Sequence, residues 1–147
     1  MLARMHEAAV AARLVPVLAG HRAERVVVAE DEHGAVVRRL QRRDLIVRLL
    51  NQVPGVTCQN PGGAFYAWPN VTEACRMIGA RDSEELRARL LHEAGVAVLA
   101  DIHFGPRVPD EGQHIRFSYA ASNEAIEKGV ARMADFIRRN TRSTAAA

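Results

Sequence analysis

Lysine is almost absent from this sequence of 147 residues. Of its 20 lysine and arginine residues, Lys128 is the one lysine, so arginine supplies nearly all of the positive charge. The arginines are scattered among 17 acidic residues and form no basic stripe interleaved with aromatic residues. The formal net charge of +3 therefore indicates a solvated surface, and we predict no nucleic-acid partner.

Long apolar runs and clustered cysteines are absent as well. No stretch approaches the run of about 18 apolar residues that a membrane-spanning helix needs, and the first residues have no signal-peptide pattern. The two cysteines, Cys58 and Cys75, lack the CxxC spacing of a zinc site and are too few for a disulfide framework. We expect reduced thiols in a cytoplasmic protein without membrane contact.

The motifs of several large enzyme classes are also missing. The sequence contains no GxGxxG, GxxxxGK[ST], HExxH or GxSxG segment, and its histidines show no metal-ligand spacing. From local pattern we predict no catalytic residue, no cofactor-binding residue and no metal ligand. His103 and His114 are candidate ligands or bases and Cys58 and Cys75 candidate nucleophiles, but ordinary polar residues and unactivated thiols are the favoured interpretations.

The hydrophobic pattern predicts an α+β fold. Helices are expected over residues 31–51 and 72–78, from an Asp82 cap to Gly95, and from a Ser122 cap onward; Glu85 would complete a capping box with Asp82. Strands are expected over residues 63–68, 96–99 and 114–119. This order favours a small antiparallel or mixed sheet with helices packed on one face.

The strand over residues 114–119 holds the most informative candidate. Alternation places Ile115, Phe117 and Tyr119 on one face and His114, Arg116 and Ser118 on the other. A guanidinium fixed on a strand suits bidentate recognition of a planar carboxylate. The alternative, which the local pattern alone favours, is a surface arginine paired with a nearby acid.

Three segments in order then carry a family resemblance. They are RRDLIVRLLNQVPGVTCQNPGGAFYAWPNV, GVAVLADIHFG and HIRFSYAASNEAIEKGVARM. Together they resemble the C-terminal small domain of class I/II, fold type I, pyridoxal-phosphate-dependent aminotransferases, nearest the aspartate aminotransferase-like members. The resemblance covers residues 42–137.

The resemblance implies a substrate role for Arg116, which aligns with the family's arginine for the substrate α-carboxylate. Gly63 matches a segment whose backbone lines the small-domain side of the cleft, and Phe104 matches a loop near the substrate entrance. Both are further substrate-binding candidates, and a purely structural role fits each equally well. The implied ligand is the carboxylate of an amino acid or 2-oxo acid. The chain departs from the family at Ala100-Asp101, where a Pro-Gly pair is usual.

The resemblance also implies a missing cofactor site. The family's cofactor lysine lies in an "S.SK…G.R" segment upstream of the matched region, so Lys128 is expected to be a surface residue. We therefore expect a truncated aminotransferase chain without cofactor of its own, inactive alone, whose partner is a large-domain chain or another copy. The expected organisation is a poorly matched segment (residues 1–30), the small domain (31–142) and a disordered tail (143–147).

Two other interpretations stay open. One is a free-standing α+β interaction or small-ligand-binding module. The other is the tail of an aminotransferase-fused transcription regulator, although residues 1–30 are too short for the helix-turn-helix that this requires. An exposed apolar face would favour the aminotransferase interpretation, whereas a closed polar surface would favour the free-standing module.

Overall fold

The computed structural model of the chain describes residues 32–145, and the side chains of residues 34–141. The elements in order are α1 (Glu32–Leu50), β1 (Tyr66–Ala67), α2 (Thr72–Met77), α3 (Ser83–Ala94), β2 (Leu99–Ala100), β3 (Ile115–Ser118) and α4 (Asn123–Ala145), with a short 3-10 helix (Asp101–Phe104) after β2. The predicted segment 1–30 lies outside this range. Across the range, no helix is long and apolar enough to cross a membrane.

The three strands form one antiparallel sheet in the order β1-β3-β2. On β3, Ile115 and Phe117 are buried in the core that the helices share, whereas Arg116 is half-buried on the other face. The predicted α+β fold, with an antiparallel sheet and helices on one face, is confirmed. The alternation of apolar and polar residues on β3 was the correct guide because successive strand residues point to opposite faces.

Helix α4 packs against the other helices through one apolar stripe. The stripe consists of Ile126, Val130, Met133 and Ile137, all buried as their helical spacing predicts. Each such side chain contributes about 1.5–3 kcal/mol by leaving water. The Ser122 hydroxyl accepts a hydrogen bond from the Ala125 amide (3.2 Å) and caps the helix as expected.

Helix α3 has the predicted ends but not the predicted capping box. Asp82 accepts a hydrogen bond from the Glu85 amide (2.9 Å), and Gly95 ends the helix in the left-handed conformation (φ 64°). In a capping box Glu85 would accept the Asp82 amide in return. Its carboxylate instead accepts hydrogen bonds from the Arg81 amide (3.2 Å) and the Arg81 guanidinium (2.8 Å). The Glu85 side chain therefore bonds to the residue before the cap rather than to Asp82.

All three predicted strands are shorter in the structure, and β3 loses one residue at each end. β1 begins at Tyr66 rather than at residue 63, because Ala64 adopts a positive φ of 60° and bends the chain. The Tyr119 hydroxyl donates a hydrogen bond to the Ala64 carbonyl (2.9 Å) and holds this bend. β2 pairs with β3 only through Leu99 and Ala100, so the strand predicted over residues 96–99 starts later and ends one residue beyond its predicted end.

Helix α1 is only partly buried. The helical spacing of Val36, Leu40, Val47 and Leu50 predicts one apolar face, but Val36 and Leu40 are 43% and 40% exposed, whereas Val47 and Leu50 are buried. The core therefore takes up only the C-terminal half of this helix. α4 continues to Ala145, and the disordered tail expected over residues 143–147 stays a prediction.

Candidate functional site

Arg116 lies on the central strand, on the face of the sheet that the helices leave open. Its guanidinium carbon is 4.1 Å from the centre of the Tyr66 ring and 4.6 Å from that of the Phe104 ring. Tyr66 comes from β1 and Phe104 from the 3-10 helix after β2. The arginine is thus stacked against aromatic rings from both sides of β3, at distances where cation–π attraction is effective.

Within residues 34–141, Arg116 forms no ion pair with a carboxylate, although several other arginines in this range do. The surface ion pair that the local pattern favoured is therefore wrong for this part of the chain. These cation–π contacts provide no hydrogen-bond acceptor, so the N–H donors of the guanidinium stay available for a ligand. The side chain has the chemistry of a carboxylate receptor.

Trp68 extends the aromatic surface along the same sheet face. The register of β1 and β3 places it opposite Arg116. Its ring meets Phe104 edge-on (5.4 Å between ring centres) and stacks on His114 (5.7 Å, with 9° between the planes). We call Tyr66, Trp68, Phe104, His114 and Arg116 the aromatic face.

Asp101 anchors the loop that carries Phe104. Its carboxylate accepts hydrogen bonds from the Ser83 hydroxyl (2.7 Å), the Ile102 amide (2.8 Å), the His114 amide (3.0 Å) and the Arg107 guanidinium (3.1 Å). Partial burial acts to raise the pKa of Asp101. The hydrogen bonds from Ser83, His114 and Arg107 outweigh burial, so the pKa lies below its ordinary value of 3.8.

Of the predicted site residues, Phe104 and Arg116 come together, and Gly63 is exposed. A methyl group added at Gly63 would meet no atom within 4 Å, so close packing does not require glycine there. The ring of His103 contacts the Ala100 carbonyl (3.0 Å) and lies 3.8 Å from the Glu84 carboxylate. His114 belongs to the aromatic face because its ring stacks on Trp68, and not as a ligand or base.

The two cysteines match the interpretation as unactivated thiols. Cys58 and Cys75 are buried and unpaired. Burial raises the pKa of both, that of Cys75 to about 11, which disfavours the reactive thiolate. Over the described part of the chain, no group of three or more His, Cys, Asp or Glu residues could hold a metal ion.

Some features of the site were missed from sequence. Tyr66 and Trp68 alternate along β1 just as His114 and Arg116 do along β3, and this shared period of two could have indicated one aromatic face. The hydrogen bonds of Asp101 join residues up to 18 positions away. No local pattern marks such an arrangement.

Comparison with known proteins shows one consistent kind of relative, although no protein-family model matches the sequence. Over 97 residues the chain is 44% identical to aspartate aminotransferase of Geobacillus stearothermophilus; the match covers 66% of this chain and 23% of that protein. Aspartate/prephenate aminotransferase of Cereibacter sphaeroides is 38% identical over 101 residues, with coverage of 65% and 24%.

Solved structures agree with the sequence matches. The crystal structure of aspartate aminotransferase from Rhizobium meliloti has a TM-score of 0.63 and 26% identity, covering 76% of this chain and 28% of that one. The described domain is a fold type I aminotransferase-like domain. The chain spans about a quarter of the length of the aminotransferases that it matches.

Pyridoxal phosphate is the cofactor of the aminotransferase family. It is bound through a lysine amine, which also moves protons during the reaction. The one lysine of this aminotransferase-like chain, Lys128, is exposed on α4, and the aromatic face around Arg116 contains no amine. The described residues therefore do not fit the cofactor.

Proposed function

We propose that this chain supplies the substrate-carboxylate site of a pyridoxal-phosphate-dependent aminotransferase. Arg116 binds the α-carboxylate of an amino acid or 2-oxo acid. The observation that carries the proposal is the guanidinium in contact with the Tyr66 and Phe104 rings, without a carboxylate partner in the described part of the chain. The sequence match to aspartate aminotransferases supports it.

The stacked arrangement favours binding because it restricts the arginine before the ligand arrives. A free arginine loses rotamer freedom when it forms two hydrogen bonds, whereas Arg116 is already held by two rings and a central strand. Hydrogen bonds to a charged group contribute about 1.5–3 kcal/mol each, so one such bond alone corresponds to a dissociation constant of about 10–100 mM. The chain alone thus binds a carboxylate weakly.

Catalysis needs groups from outside the described residues. We infer that the described domain does not transaminate by itself, and that a cofactor-carrying large domain covers the aromatic face. Further exposed apolar side chains lie beside the face: Leu99 is opposite Arg116 in the sheet, and Val108 lines a cavity with Trp68 and Phe104. This surface favours the aminotransferase interpretation over a closed free-standing module. A cytoplasmic location stays a prediction.

Arginine-resolved NMR tests the role of Arg116. In protein with ¹⁵N-labelled arginine, we expect pyruvate to shift the Nε–Hε signal of Arg116, which Arg116→Lys identifies by its loss. Arg139, exposed on α4, is the internal control and should not respond. Pyruvamide, which lacks the carboxylate, should leave both signals in place. Equal responses of Arg116 and Arg139 to pyruvate would refute a specific carboxylate site.

A second experiment tests the missing cofactor site. The purified chain is incubated with pyridoxal phosphate, reduced with borohydride and mapped by mass spectrometry. We expect Lys128 to be modified no more than in unfolded protein, since an exposed amine has no cofactor pocket. Stoichiometric modification of Lys128 in the folded chain, abolished by Lys128→Arg, would mean that this chain has a cofactor site of its own.

A further inference from the structure

The loop after β2 has little regular structure of its own to hold it. After the 3-10 helix, residues 105–112 form no helix or strand, and Gly105, Asp110 and Gly112 all have positive φ angles. Phe104, the last residue of the 3-10 helix, immediately precedes this segment and is 49% exposed. Packing alone therefore holds its ring weakly, and the position of the ring follows the loop backbone.

Asp101 ties the start, the middle and the end of this loop together. At the start of the loop, Oδ1 accepts a hydrogen bond from the Ile102 amide. In the middle, the carboxylate accepts a hydrogen bond from the Arg107 guanidinium, and at the end Oδ2 accepts one from the His114 amide. Ser83 is buried in the first turn of α3. Its hydroxyl donates a hydrogen bond to the Asp101 carboxylate and accepts one from the Arg107 guanidinium (2.8 Å). The carboxylate side chain is only 9% exposed.

We infer that Asp101 is a positioning residue for the carboxylate receptor: through the loop it fixes Phe104 against the guanidinium of Arg116. The inference deepens the proposed function and rests on it for the role of Arg116. The far end of the loop has separate support, because Thr72 accepts the Gln113 amide (2.8 Å). Asp101 therefore controls the end that carries Phe104.

Asparagine is the sharpest replacement for Asp101. Both carboxylate oxygens accept N–H donors, Oδ1 from Ile102 and Oδ2 from His114, so an amide nitrogen at either position would face another donor. Shape and volume are nearly unchanged. Asp135→Asn makes the same charge change on an exposed residue of α4 that pairs with Arg138, and it serves as the matched control.

The ring currents of Tyr66 and Phe104 make the Arg116 side-chain signals a direct reporter of the stack. Phe104→Leu defines the shift of the Arg116 Hε signal when one ring is lost. We expect Asp101→Asn to move this signal at least halfway to that value, and Asp135→Asn to leave it unchanged. We also expect Asp101→Asn to weaken pyruvate binding about three- to tenfold, of the order of one lost hydrogen bond.

Each outcome decides the inference. A folded Asp101→Asn protein with the wild-type Arg116 signal overturns it, whatever pyruvate does. If Asp101→Asn does not fold, Arg107→Gln is judged by the same signal, because Arg107 is on the protein surface and a third exposed. If pyruvate does not shift the Arg116 signal of the wild-type chain, the proposed function is refuted but the inference about Asp101 is not. The ring-current shift reports the contact between Arg116 and the rings without any ligand.

Discussion

Replacing Gly55 with alanine should destabilise the domain more than any ordinary surface change. Gly55 follows α1 with a φ of +72°, a conformation that costs a residue with a Cβ about 1–2 kcal/mol. The added Cβ would also lie 2.6 Å from the Ala74 nitrogen and 2.8 Å from the Ala74 Cα. Backbone atoms cannot rotate away, and such overpacking costs about 1–3 kcal/mol.

The sum is a loss of about 2–5 kcal/mol in the free energy of unfolding. The same substitution disturbs the hydrogen bond from the Ala74 amide to the Gly55 carbonyl (3.0 Å), which joins the turn to α2. Urea unfolding followed by circular dichroism measures the loss. With a slope of about 1.5 kcal/mol per M, a loss of 3 kcal/mol lowers the midpoint by about 2 M.

Gly79→Ala is the control that isolates the clash. Gly79 has nearly the same φ (+66°), but a Cβ there meets nothing within 4 Å. It should lose only the backbone contribution of about 1–2 kcal/mol. If Gly55→Ala is no less stable than Gly79→Ala, the close approach of the turn to α2 does not constrain the fold and the reasoning fails.

Two further predictions concern titration. The pKa of Asp101 is lowered in the folded state, so its contribution to stability is present above its ordinary value of 3.8 and is lost as pH falls through the folded pKa. The difference in unfolding free energy between wild type and Asp101→Asn should be constant above about pH 5 and shrink below pH 4; a constant difference down to pH 2 contradicts this. Cys75, with a pKa of about 11, should react with iodoacetamide at pH 8 at least about 100-fold more slowly in the folded than in the unfolded chain. Comparable rates by mass spectrometry would show that the thiol is not buried.

The parts of the fold that sequence predicted well depend on contacts within one element. The stripe on α4, the Ser122 and Asp82 caps and the two faces of β3 each follow from residues a few positions apart. Strand β1 was overpredicted because the bend at Ala64 is held by the hydroxyl of Tyr119, 55 residues later. Such a hydrogen bond leaves no trace in the local pattern.

The candidate site divides in the same way. Arg116 was identified from a single strand and a resemblance that covers it. The rings that contact it come from β1 and from the 3-10 helix after β2, and only the assembled sheet brings Tyr66 and Phe104 close to the guanidinium. Ala100-Asp101 stands where the family usually has a Pro-Gly pair, and the Asp101 carboxylate forms the hydrogen bonds that position Phe104. These bonds could not be predicted because they need Ser83, which is distant in sequence, and Arg107 beside Asp101.

The shortness of the outer strands governs how this domain can associate. β1 and β2 each contribute two residues to the sheet, so their outer edges offer another chain a very short ladder of backbone hydrogen bonds. The proposed large domain would therefore contact the side chains on the sheet face rather than add a strand. Because open-ended stacking of copies needs long free edges, these short strands give the domain little tendency to form β-aggregates.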